Sequence, residues 1–207
     1  IVIAQERGHA GGAIDRHGGS ARPEGYRKAQ RLMRFAAKFG LPLVTLVDTP
    51  GADPSYEAEE RGIAMALAHC IGTMSALPVP IVAVVIGEGG SGGALALAVA
   101  DRVLMMENAI YSVISPEGAS AILFGDASHA SEMSDTLRLT AQDLKRLGII
   151  DRIIPEPAGG AHTDADGAAS SVKAHIARAL NELSAKPRAA LPDERYQKYR
   201  NMGVVNR

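Results

Sequence analysis

Five glycines occupy the seven positions from Gly87 to Gly93, between the apolar run Ile81 to Ile86 and an alanine-rich stretch that reaches Ala100. A strand that enters a helix through so many glycines restricts the fold to architectures in which the main chain approaches something closely at that turn. The first N–H groups of a helix have no partner within it and carry partial positive charge. Such a turn is suited to an anion or an oxyanion met by backbone alone. Glycines that merely let a helix pack tightly are the simpler alternative. Five within one turn favour a functional role.

Apolar runs and helical patterns alternate along 207 residues, which predicts a single α/β domain. Ile1 to Gln5 reads as a strand and Gly8 to Ser20 as a glycine-rich loop. Pro23 opens a helix through Phe39, its apolar face made by Tyr26, Leu32, Met33, Phe35, Ala36 and Phe39, and Gly40 stops it. Leu43 to Val47 is a buried strand that ends in the turn Asp48-Thr49-Pro50-Gly51-Ala52. One helix is predicted from about Ala58 to Leu77, then a strand over Ile81 to Ile86 and a helix over Gly92 to Ala100. Arg102 to Met106, Tyr111 to Ile114 and Ile149 to Ile154 are further strands. Glu117 to Phe124, Ala141 to Leu147 behind Thr140, and Ala168 to Leu183 are helices, with a loop over Gly159 to Gly167. The charged tail from Lys186 to Arg207 is set apart from a domain of residues 1–185 and is expected to pack on a partner or fray.

A formal net charge of −1 argues against a nucleic-acid or membrane-surface partner selected by bulk electrostatics. Cys70 is the only cysteine, which rules out a disulfide or a cysteine zinc site within the chain and fits a reducing, cytoplasmic setting. Its neighbours predict a buried small hydrophobe. Residues 79–106 form the most apolar span, but Glu88, Asp101 and the glycines interrupt it, so no transmembrane helix is predicted. Ile1-Val2-Ile3 has no basic segment ahead of it and reads as a strand, not a signal peptide, so the chain is expected to begin inside a domain.

Asp48 to Ala52 and Gly87 to Gly93 are both glycine-bearing turns from strand to helix. On neighbouring parallel strands they would open at the strand C-terminal ends, and one N–H from each would make an oxyanion hole. Gly87, Gly89 and Gly92 also spell the dinucleotide-binding pattern, but they lie deep in the chain, and Glu107 follows without a clear ribose-binding strand end. No phosphate-binding lysine of the P-loop kind follows. Ser91 sits where a nucleophile elbow would place a serine. Yet His9, His17, His129 and His162 fall in loops and His69 and His175 on helices, without a triad pattern. Glu117 has the chemistry of a general acid or base, but the first turn of its helix is the simpler place for a carboxylate. Arg7, Arg16, Arg22, Arg27 and Lys28 make the first thirty residues basic, suited to CoA phosphates or a carboxylate, although a solvated surface is the default.

Taken together, Gly87 to Ala96, Tyr111 to Gly118 and Ile153 to Pro157 through Gly159 to His162 closely resemble the α subunit of bacterial acetyl-CoA carboxylase carboxyltransferase. Pro23 to Ala29, Asp48 to Ala52, Ala58 to Gly62 and Arg195-Tyr196-Gln197 resemble it too. The resemblance runs from about Ile1 to the end, but the family's N-terminal helical segment and first strands are absent. A truncated or processed chain, or one half of a fused carboxyltransferase, is therefore expected. Between Gly8 and Arg22 the chain carries fewer lysines and arginines than the family, which puts phosphate or biotin contacts from that loop in question.

The resemblance implies an α/β, crotonase-like fold of repeated ββα units and transfer of the carboxyl group of carboxybiotin to acetyl-CoA, giving malonyl-CoA for fatty-acid synthesis. It implies biotin on a separate carrier, since the chain has no Ala-Met-Lys-Met motif, and no metal. Implied partners are a β-type subunit that binds the acyl-CoA, a biotin carboxyl carrier protein and biotin carboxylase, in an α2β2 or larger assembly. By the same resemblance the N–H groups of Gly92 and Gly93 stabilise the oxyanion of the biotin ureido carbonyl, with Gly51 and Ala52 as a second donor set. Gly89, Gly90, Ile114, Ser115, Pro116 and Glu117 are implied biotin contacts. Ser91 falls at the nucleophile position of Clp-type proteases, but Ile114 stands at that of their histidine. Leu95 replaces the acid expected of a crotonase hydratase. A crotonase-like hydratase or isomerase, a related acyl-CoA carboxylase or decarboxylase subunit, and a non-catalytic scaffold are the alternatives.

Overall fold

The computed structural model describes residues 1–8 and 16–203. Positions 9–15, which hold much of the predicted glycine-rich loop, and positions 204–207 at the end of the tail lie outside the described residues.

In chain order the elements are β1 (Val2–Ala4), α1 (Pro23–Phe39), β2 (Leu43–Thr49), α2 (Tyr56–Glu60), α3 (Ile63–Ala76), β3 (Ile81–Gly90), α4 (Ser91–Ala98), β4 (Arg102–Met106) and β5 (Ile110–Ser112). Next come α5 (Pro116–Phe124), α6 (Ala130–Leu137), α7 (Ala141–Arg146), β6 (Arg152–Ile154), α8 (Ala165–Ser184) and α9 (Leu191–Arg200). The sheet runs β1-β2-β3-β4-β6 with every pair parallel, and β5 pairs with the far end of β3.

The central strand explains the architecture. Ile81 through Val85 are all buried, the continuous apolar run of a parallel strand covered on both faces. α1 buries Tyr26, Ala29, Met33 and Ala36, and α3 buries Ile63, Ala66, Cys70 and Met74, each at helical spacing. The two helices pack on one another, with α4 against α3. Each fully buried side chain the size of leucine or methionine contributes about 1.5–3 kcal/mol of transfer free energy. Cys70 is buried as expected, its thiol donating to the Tyr26 carbonyl at 3.2 Å, and burial pushes its pKa up to about 11.

Several boundaries differ from the sequence-based expectation. The helix predicted from Ala58 to Leu77 is two, because Gly62 turns the chain at φ +74° between α2 and α3. β3 does not stop at Ile86 but continues through the glycines to Gly90, since its end pairs with both β2 and β5. α6 has no counterpart in the sequence-based expectation: its apolar stripe is short, with Met133 as its buried residue. α8 begins at Ala165, where the Asp164 side chain accepts from the Gly167 N–H.

The tail differs most. Residues 191–200 do not fray but form α9 and dock on the chain itself. Arg195 is 1% exposed. Its guanidinium donates to the Met74 and Leu77 carbonyls at 2.6 and 3.0 Å and to Asp101 at 2.9 and 3.0 Å. Asp101 in turn accepts the N–H of Ile81, the first residue of β3, at 2.7 Å. Charge that looks solvated in the sequence is buried here because the cation meets the negative C-terminal end of α3 as well as a carboxylate. Nearby, the Tyr199 hydroxyl donates to the Ala98 carbonyl at 2.8 Å and accepts from the Ala100 N–H at 2.9 Å, closing the end of α4.

Arg195→Ala leaves Asp101 and several carbonyls buried without their partner. Breaking a buried pair from one side costs about 3–5 kcal/mol. A fall of that size in unfolding free energy is expected in urea titrations followed by circular dichroism.

Candidate functional site

Three stretches that are far apart in sequence meet at the C-terminal ends of the central strands. Thr49 of β2 is in register with Gly89 of β3, Gly89 with Tyr111 of β5, and Gly90 with Ser112. The turn after β2, the glycines at the end of β3 and the segment leading into α5 therefore lie side by side, where ligands of parallel sheets gather. Burial holds the Tyr111 phenol in its neutral form, with its pKa pushed up to about 12.

The contact between the two glycine turns is main chain on main chain. A Cβ at Gly90 would run into the Pro50 carbonyl, and one at Gly93 would stand 2.5 Å from the Ala52 nitrogen and 2.8 Å from the Tyr26 hydroxyl. The packing explanation thus holds for these two glycines. Gly92 is different: a Cβ there would meet nothing nearer than Leu67 Cδ1 at 3.5 Å, so its neighbours do not require glycine.

α4 opens without a side-chain cap and without an acidic residue in its first turn. Its first N–H groups therefore have no partner within the helix and none from a capping side chain. Ser91 enters the helix at φ +53°, a conformation rare for residues other than glycine, and is exposed. The Tyr26 hydroxyl holds the Gly93 carbonyl at 3.3 Å. Of the second proposed donor pair, the Gly51 N–H is engaged within its own turn by Thr49 Oγ1 at 3.1 Å, whereas the Ala52 nitrogen faces Gly93. The structure thus brings Gly51, Ala52, Gly92 and Gly93 into one cluster, with Gly51 already occupied.

Ile114, Ser115, Pro116 and Glu117 follow the Gly90–Ser112 pairing and form the entry to α5. Ser115 caps that helix, accepting from the Gly118 N–H at 3.1 Å, and Glu117 lies exposed in its first turn. The Ser112 hydroxyl donates to the Ile114 carbonyl at 2.8 Å and fixes the bend.

The basic residues of the first thirty positions are largely paired. Arg16 meets Glu6, Arg22 meets Asp53, and Arg27 meets Glu24 and the Arg61 carbonyl. A cavity of about 530 Å3 beside them is lined by Gln5, Arg16, Arg22, Tyr26 and Lys28 among others. Arg7 bridges Glu88 at 2.5 Å and Asp48 at 3.6 Å, so it neutralises acidic groups beside the glycine turn, a role not foreseen from the sequence. The usable signal was the pair of carboxylates within the two turn motifs. His129 pairs with Glu132 and stacks on Phe124, and His175 bonds the Ser171 carbonyl. Among the described residues no group of three or more His, Cys, Asp or Glu is placed to hold a metal ion, and no helix is long and apolar enough to cross a membrane.

A parallel sheet whose strand ends meet through backbone, with β4, β5 and α5 forming a ββα unit, belongs to the crotonase-like α/β class. Transcarboxylase 12S, solved as a hexamer with methylmalonyl-coenzyme A, superposes with a TM-score of 0.69 and 26% identity over 82% of this chain and 32% of that one. A Pseudomonas malonate decarboxylase hetero-dimer shares the fold at a TM-score of 0.74 and 18% identity, over 96% and 82%.

Within that class, the model of the acetyl co-enzyme A carboxylase carboxyltransferase-like family matches residues 1–203, and the chain belongs to this family. The acetyl-coenzyme A carboxylase carboxyl transferase subunit alpha of Sinorhizobium medicae is 55% identical over 203 residues, which is 98% of this chain and 64% of the relative. The fused beta/alpha chain of Salinispora tropica is 53% identical over 206 residues, 99% of this chain and 36% of that one. The chain thus spans 64% of the length of the separate alpha subunits it matches.

Gly93→Ala is expected to lower stability by about 1–3 kcal/mol, the usual cost of overpacking a filled site. Gly92→Ala has room and should be neutral or stabilising by up to about 1 kcal/mol. Parallel thermal unfolding of the two variants checks the contrast.

Proposed function

We propose that this chain forms the biotin-facing part of a carboxyltransferase that moves a carboxyl group from carboxybiotin to acetyl-CoA, with a β-type subunit supplying the acyl-CoA site. The observation that carries it is the row Thr49, Gly89, Tyr111, which sets an uncapped helix N-terminus beside a second backbone turn at the sheet's C-terminal edge. Relatives named as alpha subunits of acetyl-coenzyme A carboxylase carboxyl transferase support the substrate assignment.

The donor set fits a negative oxygen. α4 brings N–H groups without a competing cap, the Gly92 side is open, and Arg7 offsets the charge of Asp48 and Glu88. Carboxybiotin supplies an activated carboxyl group whose departure leaves negative charge on the ureido oxygen. In this reading the N–H groups of Gly92 and Gly93 donate to that oxygen. Donors that strengthen as charge develops lower the barrier instead of merely tightening binding. Ala52 lies against this turn as a further donor, and Gly89, Gly90 and the Ile114–Glu117 bend form the adjoining wall. Ser91 has no part in the chemistry: its exposed position after Gly90 turns the chain. Biotin arrives on a separate carrier protein, charged by biotin carboxylase, and the assembly works in the cytoplasm as an α2β2 or larger complex.

The test uses the full-length subunit assembled with its β-type partner. Gly92→Val, which blocks the open side, should reduce transfer by about a hundredfold or more, the scale of losing one oxyanion donor. Assembly, read by native mass measurement, should be retained. Ser91→Gly should transfer at close to the parent rate. Unchanged transfer in Gly92→Val would exclude the oxyanion role, and turnover of an enoyl-CoA by this chain alone would favour a hydratase.

A further inference from the structure

β2 and β3 keep step up to Val47 and Val85, lose register, and regain it at Thr49 and Gly89. Over that interval β2 contributes one residue, Asp48, while β3 contributes three: Ile86, Gly87 and Glu88. Extra residues on one strand leave backbone groups unpaired, bend the strand and re-aim the residues beyond the break. In β3 those residues are Gly89 and Gly90, and the first turn of α4 is carried with them.

The Asp48 side chain fills the break. Its Oδ1 accepts the Glu88 N–H at 3.0 Å, standing in for a strand carbonyl. Its own N–H is held by Gln5 Oε1 at 3.2 Å, so the residue is fixed from β1's side as well. Gly87 passes under the carboxylate so closely that a Cβ would lie 2.8 Å from Oδ1. Arg7 lies 3.6 Å from that oxygen, but the Arg7 side chain is 41% exposed and the Asp48 side chain 23%. A partly solvated ion pair contributes little, so the weight falls on the hydrogen bond to Glu88.

We propose that Asp48 is a positioning residue for carboxyl transfer: by accepting the Glu88 N–H it sets the exit angle of β3 and with it the aim of the Gly92 and Gly93 donors. The assignment rests on the oxyanion role proposed for those glycines. It makes the requirement at position 48 one for an acceptor of the right length, not for a charge. An error of about 1 Å in placing a catalytic group costs on the order of a hundredfold in rate, so a modest change in exit angle reaches the chemistry.

The experiment measures kcat and KM for acetyl-CoA in the full-length subunit assembled with its β-type partner. Asp48→Ala removes the acceptor and should lower kcat tenfold or more while KM stays within threefold, because the acyl-CoA site lies on the partner. Asp48→Asn keeps an acceptor oxygen and should stay within threefold of the parent kcat. Should Asp48→Ala fail to assemble, Asp48→Glu takes its place, since it drives the acceptor one methylene further towards Gly87 and should show the same loss in kcat.

A kcat within twofold of the parent for the variant lacking a well-placed acceptor overturns the assignment. So does an Asp48→Asn enzyme as slow as Asp48→Ala, which would make charge the requirement. Gly92→Val is run beside them. If it too transfers normally, the oxyanion role itself falls. If it is inactive while the Asp48 variants are not, only the assignment of Asp48 falls.

Discussion

Two backbone turns touch without side chains between them, and much of the site's geometry follows from that contact. Gly90 lies against the Pro50 carbonyl and Gly93 against the Ala52 nitrogen, so α4 starts at a position fixed by the end of β2. A side chain at either glycine would separate the turns. Tyr26 adds a third reference point, its hydroxyl reaching the Gly93 carbonyl from α1. Elements from three parts of the chain thereby agree on where one helical turn begins. Gly92, in the same turn, is left with open space.

The treatment of helix ends is consistent with that division. α2, α5, α7 and α8 each have a side chain of Ser55, Ser115, Thr140 or Asp164 accepting a first-turn N–H, whereas α1, α3, α6 and α9 share with α4 the lack of a side-chain cap. The C-terminal ends of α3 and α4 are closed by Arg195 and Tyr199 from α9. α4 is therefore anchored at its far end and lacks a side-chain cap at its near one. A helix held in this way offers N–H groups whose direction is set before anything binds. Preorganisation of this kind is what the proposed oxyanion role requires.

Much of this was legible in the residues. Apolar runs located the strands among the described residues, most plainly β2, β3 and β4, which are largely buried and so carry little polar interruption. Pro23 and Gly40 bounded α1, and Gly62 was visible as a glycine inside an otherwise helical stretch, but its positive φ depends on how α2 and α3 must diverge to pack. The β3 glycines looked like a loop because glycine is poor in strands. They are strand because β2 and β5 both pair with them. Asp48 and Arg7 were hidden for another reason: a carboxylate that replaces a strand carbonyl has no local pattern and is seen only once the registers are known. The tail was hidden by its composition, since nothing near Arg195 in sequence marks Met74, Leu77 and Asp101 as its partners.

Those partners also carry a temporal consequence. Arg195 lies 94 residues from Asp101 and 121 from Met74 along the chain. The carboxylate that receives the first N–H of the central strand is thus completed by an element made 94 residues later. Contacts of such long sequence separation form slowly, after the loop-closure entropy has been met. While the chain is being made on the ribosome, β3 can pair with its neighbours, yet the ends of α3 and α4 stay unsealed until α9 emerges. The sheet is thus sealed from outside itself, and the buried Arg195 of α9 acts as the latch.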